Sequence, residues 1–416
     1  MIKGNISLPG DKSISHRALF FSSLTSGENY ISNICTGDDV ESTRQSLYEC
    51  GIKSTKTNRN IKIIGGKFSA PSNSLNCGNS GTTARLIAGL LVGQNIPAKL
   101  IGDTSLSARP MRRIINPLNL MGAKIDHNNV FSLPIKLLNS KLNGINYKIP
   151  VASAQIKSCL ILAALGAKNS SIIEEITPTR NHTEIMLANM GAKISIKKNT
   201  IHVDKMKGFL NNFEIKVPGD PSSAAFFIGA ALLIPRSKLV IKNLLLNPTR
   251  IGFIKVLKRM NAHISIIRQE EIMGEIVGDI QISYSQLNSI DLNFNDIPSM
   301  IDELPIFALI ASQSDGITRV TGAKELRYKE SDRIKSICEN LKKIGVNIIE
   351  LIDGFIIEGP CHLSGGIIKS HNDHRIAMTF EVANLLTEED ITIDSSDCIK
   401  ISFPEFYQTL HEITHY

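Results

Sequence analysis

Two carboxylates, Asp302 and Glu303, interrupt the otherwise apolar run IPSMIDELPIFALIA. A carboxylate beside a buried helix is costly unless it is paired or put to use, and burial raises its pKa toward the general-base range. The charged run LRYKESDR follows, with Lys329, Glu330 and Arg333. Glu330 and Arg333 could share one face of a helix, with a surface ion pair as the ordinary alternative. HNDHR adds Asp373, His374 and Arg375. Such a collection of acids, bases and cations suits proton transfer on anionic substrates.

The N-terminal half is richer in donors. LPGDKSISHR places Lys12, Ser13 and Arg17 after Gly10, two cations and a hydroxyl that could surround one phosphate. It is not a P-loop, because Asp11 separates Gly10 from Lys12. GNSGTTAR offers Gly81, where main-chain N–H groups could approach an anion closely. GDTSLSARPMRR holds Arg109, Arg112 and Arg113, and Arg109, before Pro110, is the candidate to point inward. SAQIK brings Ser153, Gln155 and Lys157, and PTRNHTE reads equally as a helix start and as a site. Each segment alone could merely cap a helix. No GxSxG elbow occurs and no cysteine sits in these segments, so no nucleophile is evident. His371 and His374 lack a third ligand at suitable spacing, and no metal is expected.

These segments lead into six stretches that are apolar on every side: ALFFSSL, RLIAGLLVG, CLILAALGA, AAFFIGAALL, PIFALIA and AMTFEVANLL. A helix apolar all round is buried all round. Between them recurs a second pattern, an amphipathic helix, a turn and a β-branched strand: LYECGIKST, LNLMGAKID, LANMGAKIS, LKRMNAHIS and LKKIGVNII. The turn residues are Gly51, Gly122, Gly191, Asn261 and Gly345, spaced by 71, 69, 70 and 84 residues. Gly and Asn are the types that tolerate the left-handed conformation after a helix end. Six α/β units of about 70 residues would fill nearly the whole chain. If the buried helices run parallel, their positive N-terminal ends converge on one surface and attract anions. The expectation is two lobes whose helix N-termini face each other across a cleft.

Composition narrows the function classes. The 416 residues include 42% apolar and 20% charged types, which excludes disordered and fibrous chains. Trp is absent and aromatics are 5%, which argues against a base-stacking nucleic-acid platform. The net charge of +7 is scattered, and suits a small anion as well as a polyanion. Seven cysteines without a CxxC pair indicate neither a disulfide framework nor a zinc site. The polar start is no signal peptide, and the longest apolar run, Ala224 to Ile234, is too short to span a bilayer. A cytoplasmic location follows as the simplest expectation.

Taken in order, LPGDKSISHR, GNSGTTAR, ARPMRR, SAQIKS, TRNHTE, GDPSSA, IDELP, YKESDRI and NDHRIAM resemble the 3-phosphoshikimate 1-carboxyvinyltransferase (EPSP synthase) family from about Leu8 to Pro404. GDKS, SAQIK, RNHTE and NPTR (Asn247 to Arg250) are similar to the class II subgroup associated with glyphosate tolerance. The resemblance implies an α/β, two-lobed enolpyruvyl transferase fold of six βαβαββ repeats, three per lobe, with buried parallel helices. It implies one lobe from residues 1–12 plus 218–416 and another from 13–217, with the active site in the cleft and lobe closure excluding water. The implied reaction moves the enolpyruvyl group of phosphoenolpyruvate to the 5-hydroxyl of shikimate 3-phosphate, releasing phosphate, in the shikimate pathway of chorismate and aromatic amino-acid biosynthesis. No metal or organic cofactor is implied.

By the same resemblance, Lys12, Ser13, Arg17, Ser153, Ala154, Gln155, Thr179, Asp302 and Lys329 would bind shikimate 3-phosphate. Lys12, Gly81, Arg109, Gln155, Arg333 and Arg375 would hold phosphoenolpyruvate, whose two anionic groups demand several cations. Asp302 would take the hydroxyl proton, and Glu330 with Lys12 would protonate C3. Thr179 replaces the usual Ser of the family, and Lys400 lies one residue earlier than a lysine of some members. The implied partners are the two small substrates, with no nucleic acid and no membrane, acting on a monomer. The rivals are the sister transferase acting on UDP-N-acetylglucosamine, whose loop cysteine is missing from Ser105 to Arg113, and an RNA-end-modifying or RNA-binding protein of similar repeat.

Overall fold

The computed structural model describes residues 1–414. The chain forms two compact units. Unit 1 comprises Met1–Pro9, Pro218–Glu271 and the chain from Ile276 onward; unit 2 comprises Gly10–Val217 and Ile272–Glu275.

Unit 2 carries helices α1 (Lys12–Ser22), α2 (Asp38–Glu49), α3 (Gly81–Gly93), α4 (Thr104–Ala108), α5 (Arg112–Leu120), α6 (Ala154–Leu165) and α7 (His182–Asn189). Unit 1 carries α8 (Pro221–Leu233), α9 (Gly252–Arg259), α10 (Leu304–Ser312), α11 (Arg333–Lys343), α12 (His374–Asn384) and α13 (Phe406–Thr414). The six apolar stretches are α1, α3, α6, α8, α10 and α12, and in α10 every residue is buried. The amphipathic set is α2, α5, α7, α9 and α11. The turn residues that follow have φ of +87° at Gly51, +96° at Gly122, +90° at Gly191, +73° at Asn261 and +90° at Gly345. The repeat seen in the sequence is therefore a repeat of backbone conformation.

Each repeat organises one small sheet. Strand Leu75–Asn76 runs through α3 into Ala98–Ile101, its parallel neighbour, and α5 then leads to the antiparallel pair Lys124–His127 and Ile135–Leu138. Asn146–Ile149, α6, Ser171–Glu175, α7 and the hairpin Ile194–Lys197 with Thr200–Val203 repeat that βαβαββ order. The remaining sheet of unit 2 is closed differently. Its strand Glu28–Ser32 pairs in parallel with Glu214–Lys216, supplied from the far end of the unit. Unit 1 has two four-stranded sheets of the same plan. Its third has two strands, Gly366–Ile368 and Ile391–Ile393, and α13 follows in place of a hairpin. Edge and tilted contacts of Phe403 and Phe406 with Phe226 and Phe227, at 5.6 to 6.1 Å between ring centres, fix α13 against α8.

Small residues let the buried helices touch at main-chain distance. A Cβ added to Gly89 would lie 2.2 Å from the Cys159 carbonyl oxygen, and one added to Gly166 only 1.8 Å from that of Gly93. The α3–α6 contact thus has no room for a methyl group. Gly166→Ala is expected to lower stability by about 1–3 kcal/mol through overpacking. Gly66→Ala, where nothing lies within 4 Å of the added atom, should stay near wild type. Denaturant midpoints of the two variants check this; equal midpoints would contradict it.

Candidate active site

Every buried helix needs its free N–H groups satisfied at its start. Asp11, Ser80, Ser153, Asp220 and Asp373 do this for α1, α3, α6, α8 and α12, accepting from the main chain at 2.8, 3.1, 3.4, 2.8 and 3.0 Å. The polar leaders therefore do cap. Capping occupies one residue in each, and the neighbouring charged side chains are left to do something else. α10 is the exception: it is entered through a 3-10 turn, Ile301–Glu303, with no side-chain cap.

That turn carries Asp302. Lys329 Nζ donates to Asp302 Oδ1 at 3.2 Å, and Arg333 Nη1 donates to the same oxygen at 3.3 Å. Arg375, in the first turn of α12, donates from Nη1 to the Asp302 carbonyl oxygen at 3.2 Å. Arg333 is the hub: Nη2 reaches Glu330 Oε2 at 2.6 Å, Nε reaches Asp373 Oδ2 at 2.8 Å and Nη2 reaches Asp373 Oδ1 at 3.2 Å. Its side chain is 1% exposed, which excludes the surface ion pair. Burial alone would lower the Arg333 pKa; Asp373, then Glu330 and Asp302, overcome that and hold it above the ordinary arginine value. Burial pushes Asp373 up, and the attraction of Arg333 pulls it down further, leaving it below the usual aspartate range. The Glu330–Arg333 pair does not share a helix face, because α11 begins only at Arg333. It spans the helix entrance instead. Unit 1 thus brings Asp302, Lys329, Glu330, Arg333 and Arg375 into one constellation. Lys400 pairs with Asp397 at 2.7 Å on the surface.

In unit 2, Lys12 Nζ pairs with Asp39 Oδ2 at 2.9 Å. Arg17 is 3% exposed and donates to Thr183 Oγ1 at 2.7 Å, Ser158 Oγ at 2.7 Å and the Ser13 carbonyl at 2.9 Å. Burial pushes its pKa down to about 10. Gly81 opens α3, and a Cβ there would stand 3.1 Å from Arg85 Nη1 and 3.6 Å from Arg109 Nη1. Arg85 donates to Gln155 Oε1, and Gln155 Nε2 donates to Thr82 Oγ1 at 3.0 Å. Arg109 Nη2 donates to Asn79 Oδ1 at 2.7 Å. Gly81, Arg109 and Gln155 are therefore neighbours, with Arg85 between them. Ser153 caps α6 and Ala154 is that helix's first residue. The Thr179 hydroxyl and N–H both donate to Glu175 Oε1, and the Thr179 carbonyl accepts from Lys157 Nζ at 3.3 Å. Burial, against the pull of Lys157, raises Glu175. Gly10 is required by space: a Cβ there would lie 2.1 Å from the Asn33 carbonyl oxygen.

Sequence reasoning missed Arg85, Asn79, Asp39 and Thr183. Arg85 had a signal, since it is the one charged residue in an apolar helix, four positions after Gly81 on the same face. Asn79 and Thr183 lie within the segments GNSGTTAR and PTRNHTE, but their partners Arg109 and Arg17, like Asp39's partner Lys12, come from distant segments that sequence alone does not connect. Lys157 shares the SAQIK motif with Ser153 and Gln155. Its side chain is wholly buried, with Glu175 at 2.9 Å and Glu184 at 2.8 Å, so it serves as their counter-ion. Among the described residues, no group of three or more His, Cys, Asp or Glu side chains converges as a metal site requires. No described helix is long and apolar enough to cross a membrane.

Behind Lys12 lies a neutral chain. His16 Nδ1 meets Thr43 Oγ1 at 2.7 Å, Thr43 meets Thr83 at 2.7 Å, and Thr83 Oγ1 reaches the Asp39 carbonyl at 3.2 Å. His16 is fully enclosed and burial pushes its pKa down to about 3. An unfolded chain binds that proton near pH 6.5, so between about pH 6.5 and 3 the unfolded state holds one more proton and stability falls as pH falls. His16→Gln should make the loss of unfolding free energy between pH 6 and 4 shallower by up to one proton. Equal slopes would contradict the assignment.

The chain can now be set beside known proteins. The family model for EPSP synthase (3-phosphoshikimate 1-carboxyvinyltransferase) matches residues 1–410. A 3-phosphoshikimate 1-carboxyvinyltransferase of Thermodesulfovibrio yellowstonii is 47% identical, over 98% of this chain and 96% of its own length. The solved EPSP synthase of Acinetobacter baumannii superimposes with a TM-score of 0.89 at 38% identity, covering 99% of this chain and 96% of that one. The enolpyruvyl transferase NikO of Streptomyces tendae, 14% identical, shares the fold with a TM-score of 0.78 over 99% of this chain and 95% of its own. With sequence, fold and full-length coverage in agreement, the chain belongs to the EPSP synthase (3-phosphoshikimate 1-carboxyvinyltransferase) family.

Proposed function

We propose that the chain transfers the enolpyruvyl group of phosphoenolpyruvate to the 5-hydroxyl of shikimate 3-phosphate, with release of phosphate. The observation that carries this reading is Asp302: a nearly buried carboxylate whose charge is kept by Lys329 and Arg333 and whose main chain is held by Arg375. A carboxylate so held is ready to accept a proton without first losing one. Asp302 takes the proton of the 5-hydroxyl as its oxygen attacks C2. Glu330, together with Lys12, delivers a proton to C3, giving a tetrahedral adduct with a methyl group. Loss of phosphate, with return of a C3 proton, restores the double bond. The hydroxyl proton leaves with phosphate, so atoms and charge balance.

The donors divide by substrate. Lys12, Ser13, Arg17, Ser153, Ala154, Gln155, Thr179, Asp302 and Lys329 bind shikimate 3-phosphate. Lys12, Gly81, Arg109, Gln155, Arg333 and Arg375 bind phosphoenolpyruvate. One of these roles requires exchange of partners. The single proton of the Thr179 hydroxyl is spent on Glu175, so it must leave that acceptor to donate to a ligand. The Lys12 ammonium, with three N–H donors, can meet a ligand while bonded to Asp39. The reading includes no metal or organic cofactor and a cytoplasmic monomer; the free state of every described cysteine suits a reducing compartment.

Phosphate release should require both phosphoenolpyruvate and shikimate 3-phosphate, without added metal. Release with UDP-N-acetylglucosamine in place of shikimate 3-phosphate would overturn the acceptor. Asp302→Asn should lose at least about 100-fold in turnover, the usual size of a general-base contribution, while KM values change little. Near wild-type turnover would remove Asp302 as the base. Arg375→Ala should raise the KM for phosphoenolpyruvate at least tenfold, about the loss of one charge-assisted hydrogen bond; an unchanged KM would take Arg375 out of the site.

A further inference from the structure

Glu303 interrupts the same apolar segment as Asp302, yet the chemistry assigned above leaves it unused. It is buried, and its Oε1 accepts a hydrogen bond from Ser222 Oγ at the start of α8. Ser222 Oγ accepts in turn from Arg250 Nη2 at 3.2 Å, and that same nitrogen lies 2.9 Å from Asp220 Oδ1. Asp220 is the residue that caps α8 through the Ser222 N–H at 2.8 Å. Arg250, Asp220 and Ser222 are buried as well. A hydroxyl has one proton to donate, and Ser222 gives it to Glu303. The line from guanidinium through hydroxyl to carboxylate therefore runs one way, each bond polarising the next.

The 3-10 turn Ile301–Glu303 is held by two opposed sets of partners. Asp302 is drawn to Lys329 and Arg333, while its neighbour Glu303 is tied to the first turn of α8. The chain just before the turn is also wedged: a Cβ on Gly252, at the start of α9, would lie 1.9 Å from Ser299 Oγ. The carboxylate oxygens of Asp302 can keep one direction only if this turn does not rotate. We propose that Glu303, acting through Ser222 and Arg250, is a positioning residue that holds Asp302 in its reactive orientation. The inference rests on the reading of Asp302 as the base. A misplacement of about 1 Å at a reacting group costs on the order of 100-fold.

The test uses the full chain with Glu303→Ala, Glu303→Gln, Ser222→Ala, Asp302→Asn and the double variant Asp302→Asn/Glu303→Ala. It reads kcat, both KM values and the thermal unfolding midpoint. Glu303→Ala and Ser222→Ala should lower kcat roughly 10- to 100-fold and shift neither KM more than about threefold. Glu303→Gln keeps an oxygen that accepts the Ser222 proton, and should restore kcat to within about threefold of wild type. The double variant should show the kcat of Asp302→Asn alone, because a residue acting through Asp302 has nothing left to position. A folded Glu303→Ala with kcat within twofold of wild type overturns the inference, as does Glu303→Gln as slow as Glu303→Ala. If Glu303→Ala does not fold, Ser222→Ala decides by the same criteria. Wild-type turnover by Asp302→Asn removes the base reading itself; an inactive Asp302→Asn beside fully active Glu303→Ala and Ser222→Ala removes only the inference.

Discussion

A guanidinium with 1% of its side chain exposed, that of Arg333, sits against three carboxylates, Asp302, Glu330 and Asp373. Burying a single cation at such a place would be prohibitive, and so would burying any of the three acids alone. Together they compensate one another, and their geometry then becomes obligatory. Asp373 must cap α12, because its Oδ1 is committed both to the Arg375 N–H and to Arg333. Arg375 is thereby placed with its guanidinium on the Asp302 carbonyl. Helix entrance, ion network and proposed base are one arrangement, and removing any member leaves an uncompensated charge behind.

Unit 2 solves a similar problem with a different balance. There the buried cation Lys157 meets Glu175 and Glu184, and Arg17 is spent on hydroxyls and a carbonyl. The hydrogen bonds of Arg17 go to hydroxyls and a carbonyl where those of Arg333 go to carboxylates, and burial lowers the pKa of Arg17 where that of Arg333 is raised. Around Gly81, the guanidinium groups of Arg85 and Arg109 are held by neutral amide oxygens of Gln155 and Asn79. A guanidinium bonded to a neutral amide oxygen keeps its positive charge, which suits an anionic ligand. In the proposed roles both groups supply cations for anion binding, while proton transfer draws on Asp302 and Glu330 of unit 1 and Lys12 of unit 2.

Much of the architecture was legible because it is local. The left-handed turn after each amphipathic helix selects Gly or Asn, and all five positions show the positive φ that this choice implies. The six apolar helices were legible because burial on all sides leaves no polar stripe. Pairing between distant segments was not. Nothing near Glu214–Lys216 announces that it completes a sheet begun at Glu28. Nor does SAQIK reveal that its lysine is a counter-ion to Glu175 and Glu184 while its glutamine joins Arg85. Two helical positions separate the glutamine from the lysine in one motif, and only the packing distinguishes their fates. Asp302 and Glu303 repeat the lesson: adjacent carboxylates, read together from sequence, point to different partners and are given different work.

The proposed chemistry makes C3 of phosphoenolpyruvate a methyl carbon in mid-reaction, with Glu330 giving and regaining a proton there. Running the reaction in deuterium oxide and weighing the product by mass spectrometry tests this most directly. Addition followed by elimination predicts deuterium in the vinyl group of the product, with Glu330→Gln slowing its appearance together with turnover. A product formed at full rate with no deuterium in that group would contradict protonation at C3, and with it the roles assigned to Asp302 and Glu330.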